Sequence, residues 1–128
     1  VECQWNGNVD MMLNIPHFPH LHSSLTDNFA DNSRYPHPYE YFLASLCGIM
    51  TLLISKYTEE RCIIISNLYI TIEGLLSNKI GKYKKIKIYI YLDSSASPDE
   101  LTKLQNIIYD DDTIISLFNR DIIEVNWD

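Results

Sequence analysis

The stretch PYEYFLASLCGIMTLLISKY, residues 38–57, decides the fold of this chain. It carries no charge between Glu40 and Lys56, and apolar or small side chains occupy every face of the helix that it would form, unlike a surface helix with one wet side. The uncharged run is shorter than the ~20 residues that cross a bilayer. Pro38 suits a first helical turn, and Gly48 favours close approach of another backbone, because mid-helix glycine costs about 1 kcal/mol. The sequence therefore predicts a buried core helix packed against a second helix, from the same chain or from a second subunit.

Composition and charge limit the class of protein. With 128 residues, the chain is long enough for one hydrophobic core, and we expect residues 1–128 to form a single domain. Apolar residues make up 46% and charged residues 21%, as in soluble globular proteins. The net charge of −7 argues against a nucleic-acid partner, because phosphate binding needs a basic face. The basic cluster over residues 79–87 is interpreted as a solvated strand edge.

The cysteines and the lack of recognisable targeting motifs indicate the cellular compartment of the protein. Cys3, Cys47 and Cys62 are odd in number and form no CxxC motif, which favours reduced thiols and a reducing compartment. Free cysteines are commonly inert, buried, small apolar residues, and that interpretation is open for all three. The residues contain no recognisable signal peptide or lipid-anchor motif, so we expect a cytoplasmic protein without a membrane segment.

The residues before the helix indicate a hairpin and a long loop. β-forming residues flank Asn6-Gly7, a strong hairpin signal, so two short strands are predicted around that turn. Residues 15–38 contain four prolines and a polar run, which predicts an irregular and functional loop. The alternative for part of this loop is a short strand over residues 25–29.

The residues after the helix alternate in a way that predicts strands and a second helix. Residues 61–73 are rich in β-branched side chains, and residues 84–93 (KKIKIYIYLD) place apolar side chains on one face only. Residues 97–100 form a capping box that begins an amphipathic helix. A short helix over residues 113–118 and a last strand over residues 123–127 follow. This order favours an α+β domain in which an antiparallel sheet packs on helices.

Several of these motifs together carry a resemblance to a known family. Pro38 and Glu40 at the helix start, the stretch LASLCG and the helix start SPDEL resemble the OsmC/Ohr family of osmotically induced and organic hydroperoxide resistance proteins. The resemblance covers residues 37–127. It implies an OsmC-like fold with a long central helix in an intertwined homodimer whose sites lie at the subunit interface. It also implies peroxiredoxin-like chemistry in the oxidative stress response, with a reactive cysteine, a resolving cysteine, an arginine and a glutamate.

The residues of this chain match that chemistry only in part. Glu40 matches the glutamate of the family, but the pattern places the peroxidatic cysteine at Ile49. Cys47 lies two residues earlier, which turns its side chain about 200° around the helix. The place of the second cysteine falls near Asp111, and the chain has no arginine before Arg34. The resemblance therefore implies a retained fold with lost or altered thiol chemistry.

Two functional hypotheses follow from this comparison. In the first, the homodimer lacks two-cysteine peroxidase activity and binds a small apolar or thiol-bearing molecule at the dimer interface, in a cleft covered by residues 15–35. The walls of the cleft would be aromatic and Arg34 would meet an anion; the wall residues are Phe18, Phe29, Tyr35 and Tyr39. In the second, Cys47 is the nucleophile of a one-cysteine thiol peroxidase that reduces organic hydroperoxides, with Glu40 and Arg34 as activating residues and an external thiol as resolver. A purely structural or interaction domain is the third reading.

Other chemistry-bearing residues have simpler interpretations. His17, His20 and His22 lie close together, with His37 further on, but no cysteine or acidic residue joins them at a recognised metal-ligand spacing. We interpret them as solvated or capping side chains, with a pH-responsive gate as the alternative. The acidic run over residues 110–112 is interpreted as a solvated helix junction. The sequence predicts neither a metal nor a cofactor, and its motifs alone make only a weak case for an enzyme.

Overall fold

The computed structural model describes residues 1–5, 7, 10–25, 35–110 and 113–128. Packing divides the chain into two compact units, an N-terminal unit, Val1–Ala44, and a C-terminal unit, Ser45–Asp128. Each unit has its own three-stranded sheet. The elements are, in order, β1 (Glu2–Trp5), β2 (Asp10–Asn14), β3 (Leu21–Ser24), α1 (Pro38–Glu60), β4 (Ile65–Leu76), β5 (Tyr83–Ser94), α2 (Pro98–Ile108), two 3₁₀ helices (Ile114–Leu117 and Arg120–Ile122) and β6 (Ile123–Trp127). The single domain over residues 1–128 stays a prediction.

The sheet of the N-terminal unit is an antiparallel meander in the order β1-β2-β3. Its first two strands are the predicted hairpin, and Gly7 between them has a positive φ of 81°, which glycine adopts readily. β3 lies in the segment predicted to be irregular, before the alternative strand over residues 25–29; of those, residues 26–29 lie outside the described residues. Tertiary hydrogen bonds explain this correction, because the Ser23 hydroxyl and the Ser24 amide both donate to the Pro36 carbonyl, at 2.9 and 3.1 Å.

The long helix α1 confirms the central prediction and extends it by three residues, to Glu60. The amide of Tyr39 donates to Nδ1 of His37 over 3.2 Å, so the imidazole caps the first turn. At the other end, the amide of Ile63 donates to the Thr58 carbonyl over 2.9 Å, and Cys62 has a positive φ of 53°. This is the left-handed stop of a Schellman motif. Cys62 therefore lies in a turn, and the strand predicted from residue 61 begins only at Ile65.

The sheet of the C-terminal unit has the order β4-β5-β6 and is mixed. β4 and β5 form the predicted antiparallel pair over most of their length. β6 runs parallel to β5, which corrects the prediction of an antiparallel sheet. The cause is the connection, because α2 and the two 3₁₀ helices carry the chain back before β6 begins, as a parallel pair requires.

The core of the C-terminal unit is built from aliphatic side chains spaced as the sequence predicted. α2 begins with both reciprocal hydrogen bonds of the capping box between Ser97 and Glu100, at 2.7 and 3.3 Å. Three consecutive isoleucines on one face of β5 are fully buried. The core side chains are Leu46, Met50, Ile54 and Tyr57 of α1, Ile86, Ile88 and Ile90 of β5, Leu104 and Ile108 of α2, Ile115 and Ile123.

Only one face of α1 is buried within the chain. Ile49 and Leu52 on another face remain 37% and 57% exposed. By length and composition α1 would also suffice to cross a membrane, a test that the core helices of soluble proteins pass as well. The uniformly apolar helix thus has a face that the described part of the chain leaves exposed.

Candidate functional site

Cys47 lies on α1 at a half-buried position beside β4. Its Sγ donates to the carbonyl oxygen of Ile70 over 3.7 Å, a distance within reach of a weak sulfur hydrogen bond. Leu46, just before Cys47, and Met50, one turn after Leu46, are buried in the core. The thiol therefore points toward the backbone of the C-terminal sheet, not toward the open face of the helix.

Ile49 lies on that open face. The resemblance places the peroxidatic cysteine of the family at this position, and the structure shows a partly exposed apolar side chain there. Gly48 beside it is exposed. Apart from the adjacent residues and the nearby backbone of α1, no atom of the described residues lies within 4 Å of the place where its Cβ would be. Among the described residues, none makes the close approach predicted at Gly48. Together with Leu52, these residues form what we call the open apolar face of α1.

The predicted cleft residues fall in the N-terminal unit. Tyr35 stacks on His22 at 4.9 Å between ring centroids, and Tyr39 stacks on His37 at 5.0 Å. Phe18 is 68% exposed in the single chain, and its place in the interface cleft stays a prediction. Phe29 and Arg34 lie outside the described residues.

The helper residues of the peroxidase hypothesis are described only in part. Glu40 is exposed in the first turn of α1, the helix that also carries Cys47. Asp111, at the expected place of the second cysteine, lies outside the described residues. The roles of Cys47, Glu40 and Arg34 stay predictions.

The histidines have structural partners that the sequence indicated only in general terms. His37 caps α1 through Nδ1, and the backbone carbonyl of His22 accepts a 2.7 Å hydrogen bond from the Tyr41 hydroxyl. Sequence reasoning missed Tyr41, because nothing in the pattern shows that β3 lies beside the first turn of α1. Among the described residues, no three His, Cys, Asp or Glu side chains converge into a metal site.

The two remaining cysteines correct the interpretation of buried thiols. Cys3 and Cys62 are both exposed. Cys3 lies on β1, where every residue is exposed, and its Sγ lies 3.4 Å from Sδ of Met11. Cys62 occupies the turn after α1. The exposure of these two thiols could not be predicted from the sequence, because it depends on which other residues cover the strand or the turn.

Solved structures similar to this one settle the fold. An OsmC-like protein from Mycoplasma pneumoniae superposes with a TM-score of 0.77 at 13% sequence identity, over 99% of this chain and 92% of that one. A putative osmotic stress induced and detoxification response protein from Psychrobacter arcticus also gives 0.77, at 10% identity, over 99% and 93% of the two chains. This chain has the OsmC-like fold.

A third neighbour extends the agreement. An OsmC-like protein of unknown function from Vibrio cholerae gives a TM-score of 0.68 at 14% identity, over 94% of this chain and 83% of that one. No protein-family model and no curated protein sequence matches the chain. At such identities the likeness establishes the OsmC-like fold alone. In that fold, α1 is the long helix.

Proposed function

We propose that this chain is a divergent OsmC-family protein of the cytoplasm whose homodimer binds a small apolar or thiol-bearing molecule and lacks two-cysteine peroxidase activity. The observation that supports the proposal is which residues occupy positions 47 and 49 of α1. Ile49 presents an alkyl side chain on the open face, at the place that the family resemblance gives to the nucleophile. The only cysteine of the helix is turned toward Ile70.

The surroundings of Cys47 support the loss of peroxidase chemistry. A thiol peroxidase attacks with a thiolate, and thiolates are favoured by cations or hydrogen-bond donors near the sulfur. The recorded partner of Cys47 Sγ is a carbonyl oxygen, which can accept a hydrogen bond but cannot donate one. This contact gives no assistance to a thiolate.

The open apolar face of α1 supports both the dimer and the ligand. Exposed apolar patches on a folded protein mark places where a partner or ligand is bound. A second copy of α1 would cover part of the face around Gly48, where there is space for another backbone. The remaining alkyl surface would line a cleft that selects its ligand by apolar contact.

The activity test is consumption of cumene hydroperoxide by the reduced protein under excess dithiol, in wild type, Cys47→Ser and Cys62→Ser. Cys62 is an exposed cysteine of the same chain and so is the matched control. The proposal expects no turnover above the buffer rate in any of the three. Turnover that persists in Cys62→Ser and vanishes in Cys47→Ser would overturn it and establish the one-cysteine peroxidase, which the half-burial of Cys47 still permits sterically.

The ligand test uses the fluorescent probe 1-anilinonaphthalene-8-sulfonate, an apolar ring system with an anionic group. We expect Ile49→Gln to weaken probe binding at least about tenfold, since burying an isoleucine is worth about 1.5–3 kcal/mol. Leu117→Gln is the control, because Leu117 is exposed on a 3₁₀ helix away from α1 in the sequence. Equal affinity of both variants would contradict a site on the open apolar face.

A further inference from the structure

The outer face of the C-terminal sheet carries a group of exposed aromatic rings that the proposed function does not use. Tyr69, Tyr89 and Tyr91 are 68%, 38% and 44% exposed. They border a hollow of about 370 Å³ that we call the tyrosine hollow. Its other lining residues are Thr71, Ile90, Asn126, Trp127 and Asp128.

Strand register brings these residues together. Tyr69 lies opposite Tyr91 in the β4–β5 ladder, and Tyr89 lies between Thr71 of β4 and Asn126 of β6. Residues two apart on a strand share a face, and directly opposed side chains have Cβ atoms about 5 Å apart. The same alternation that buries the isoleucines of β5 therefore gathers the tyrosines on the opposite face.

The tyrosines are not engaged elsewhere in the part of the chain that the structure describes. None of the three rings stacks on another ring there, and none of the three hydroxyls makes a hydrogen bond there. Their π faces and phenol oxygens are therefore available to a ligand.

The charge around the hollow is negative. Asp128 is the one charged residue among the described residues that line it. Lysines on the same face are matched by carboxylates, because Lys87 lies between Glu73 and Glu124 in register and Lys85 forms an ion pair with Glu124. The whole chain carries a net charge of −7. The hollow thus offers aromatic faces and a carboxylate, without a competing cation in its lining.

We propose that the tyrosine hollow binds an organic cation of the methylated ammonium class. A quaternary ammonium group is attracted to the negative face of aromatic rings, and aromatic cages are the usual means of recognising it. The carboxylate of Asp128 would balance its charge, and the volume accommodates a head group the size of choline. This site lies on the outer sheet surface and is independent of the proposed cleft at α1.

The first test compares choline with 3,3-dimethylbutan-1-ol, its neutral carbon isostere, by isothermal titration calorimetry. The two molecules have nearly the same shape and differ by one positive charge. We expect saturable binding of choline and at least about fivefold weaker binding of the alcohol, a difference of about 1 kcal/mol. Equal binding of both would show a merely apolar hollow, and absence of choline binding would show no site; either result overturns the proposal.

The second test locates the site with matched pairs of variants. Tyr69→Leu removes a ring and Tyr69→Phe keeps it; we expect the first to weaken choline binding between about two- and thirtyfold and the second to change it little. Asp128→Asn should also weaken binding, whereas Asp121→Asn removes one exposed charge outside the hollow and should not. Equal effects within either pair would overturn the assignment to the tyrosine hollow. Tyr69 is exposed enough that its variants should keep the wild-type melting temperature, which serves as the check on folding.

Discussion

Cys62, like His17, is a non-glycine residue whose backbone has a positive φ, and it lies in the turn that follows α1. Its φ of 53° lies in the left-handed region, where a Cβ is unfavourable and helices usually place glycine. We expect Cys62→Gly to raise the free energy of unfolding by about 1 kcal/mol, measured by urea denaturation. Cys62→Ala keeps the Cβ and should give no such gain. Equal stability of the glycine and alanine variants would show that the turn is not strained.

At the residue scale, the sequence identifies the cysteines but not the surroundings that each thiol faces. A helical count places Cys47 and Ile49 about 200° apart and so predicts that they face different surroundings. Which of the two faces the sheet depends on the packing of α1 as a whole. The structure supplies that answer, with Cys47 at the Ile70 carbonyl and Ile49 on the open side.

At the scale of secondary structure, an ion pair joins β5 to β6. Lys85 pairs with Glu124, and together with the amide of Asn126 it holds the pKa of that carboxyl below its ordinary 4.5. A carboxyl whose pKa is lower in the folded state adds stability that is present above the unfolded pKa. That stability is lost as the pH falls through the folded value.

This coupling of protonation to folding predicts how the stability of the protein changes at acidic pH. We expect Glu124→Gln to be slightly less stable than wild type at pH 7, with the difference in melting temperature closing as the pH falls from about 5 to about 3. The measurement is thermal unfolding at a series of pH values. Asp121→Asn, which removes an exposed carboxyl outside this ion pair, is the control and should not reproduce this change. A difference that stays constant across the range would contradict the role of the ion pair.

Helices and strands whose sequence signal lies within their own segment could be predicted. Those that depend on pairing with a strand distant in sequence could not. α1, β5 and α2 follow from uniform apolarity, alternation and a capping box, because each signal lies within its own segment. β3 and the parallel direction of β6 escaped prediction, because both depend on which strand lies alongside. The tyrosine hollow was predictable only in part. Alternation predicts that the tyrosines of one strand share a face, but only the register of the paired strands shows that residues of three strands line one hollow.

For the whole molecule, the open apolar face of α1 leads to a prediction about assembly. In a homodimer with twofold symmetry the same surface meets itself, so a central substitution acts on both copies at once. Leu52 is 57% exposed in the single chain, so a glutamate there leaves the fold of the chain unstrained. Across a twofold interface, however, Leu52→Glu would bury two like charges. We expect it to convert a dimer to a monomer in sedimentation equilibrium.

The control for this prediction is Ile80→Glu, which adds the same charge at a fully exposed position in the turn between β4 and β5. It should leave the sedimenting mass of wild type unchanged. Because a dimer is stabilised by mass action, the melting temperature of wild type should also rise with protein concentration, and that of Leu52→Glu should not. A wild-type protein that sediments as a monomer would refute the dimer, and the open apolar face would then have to be covered by a different partner.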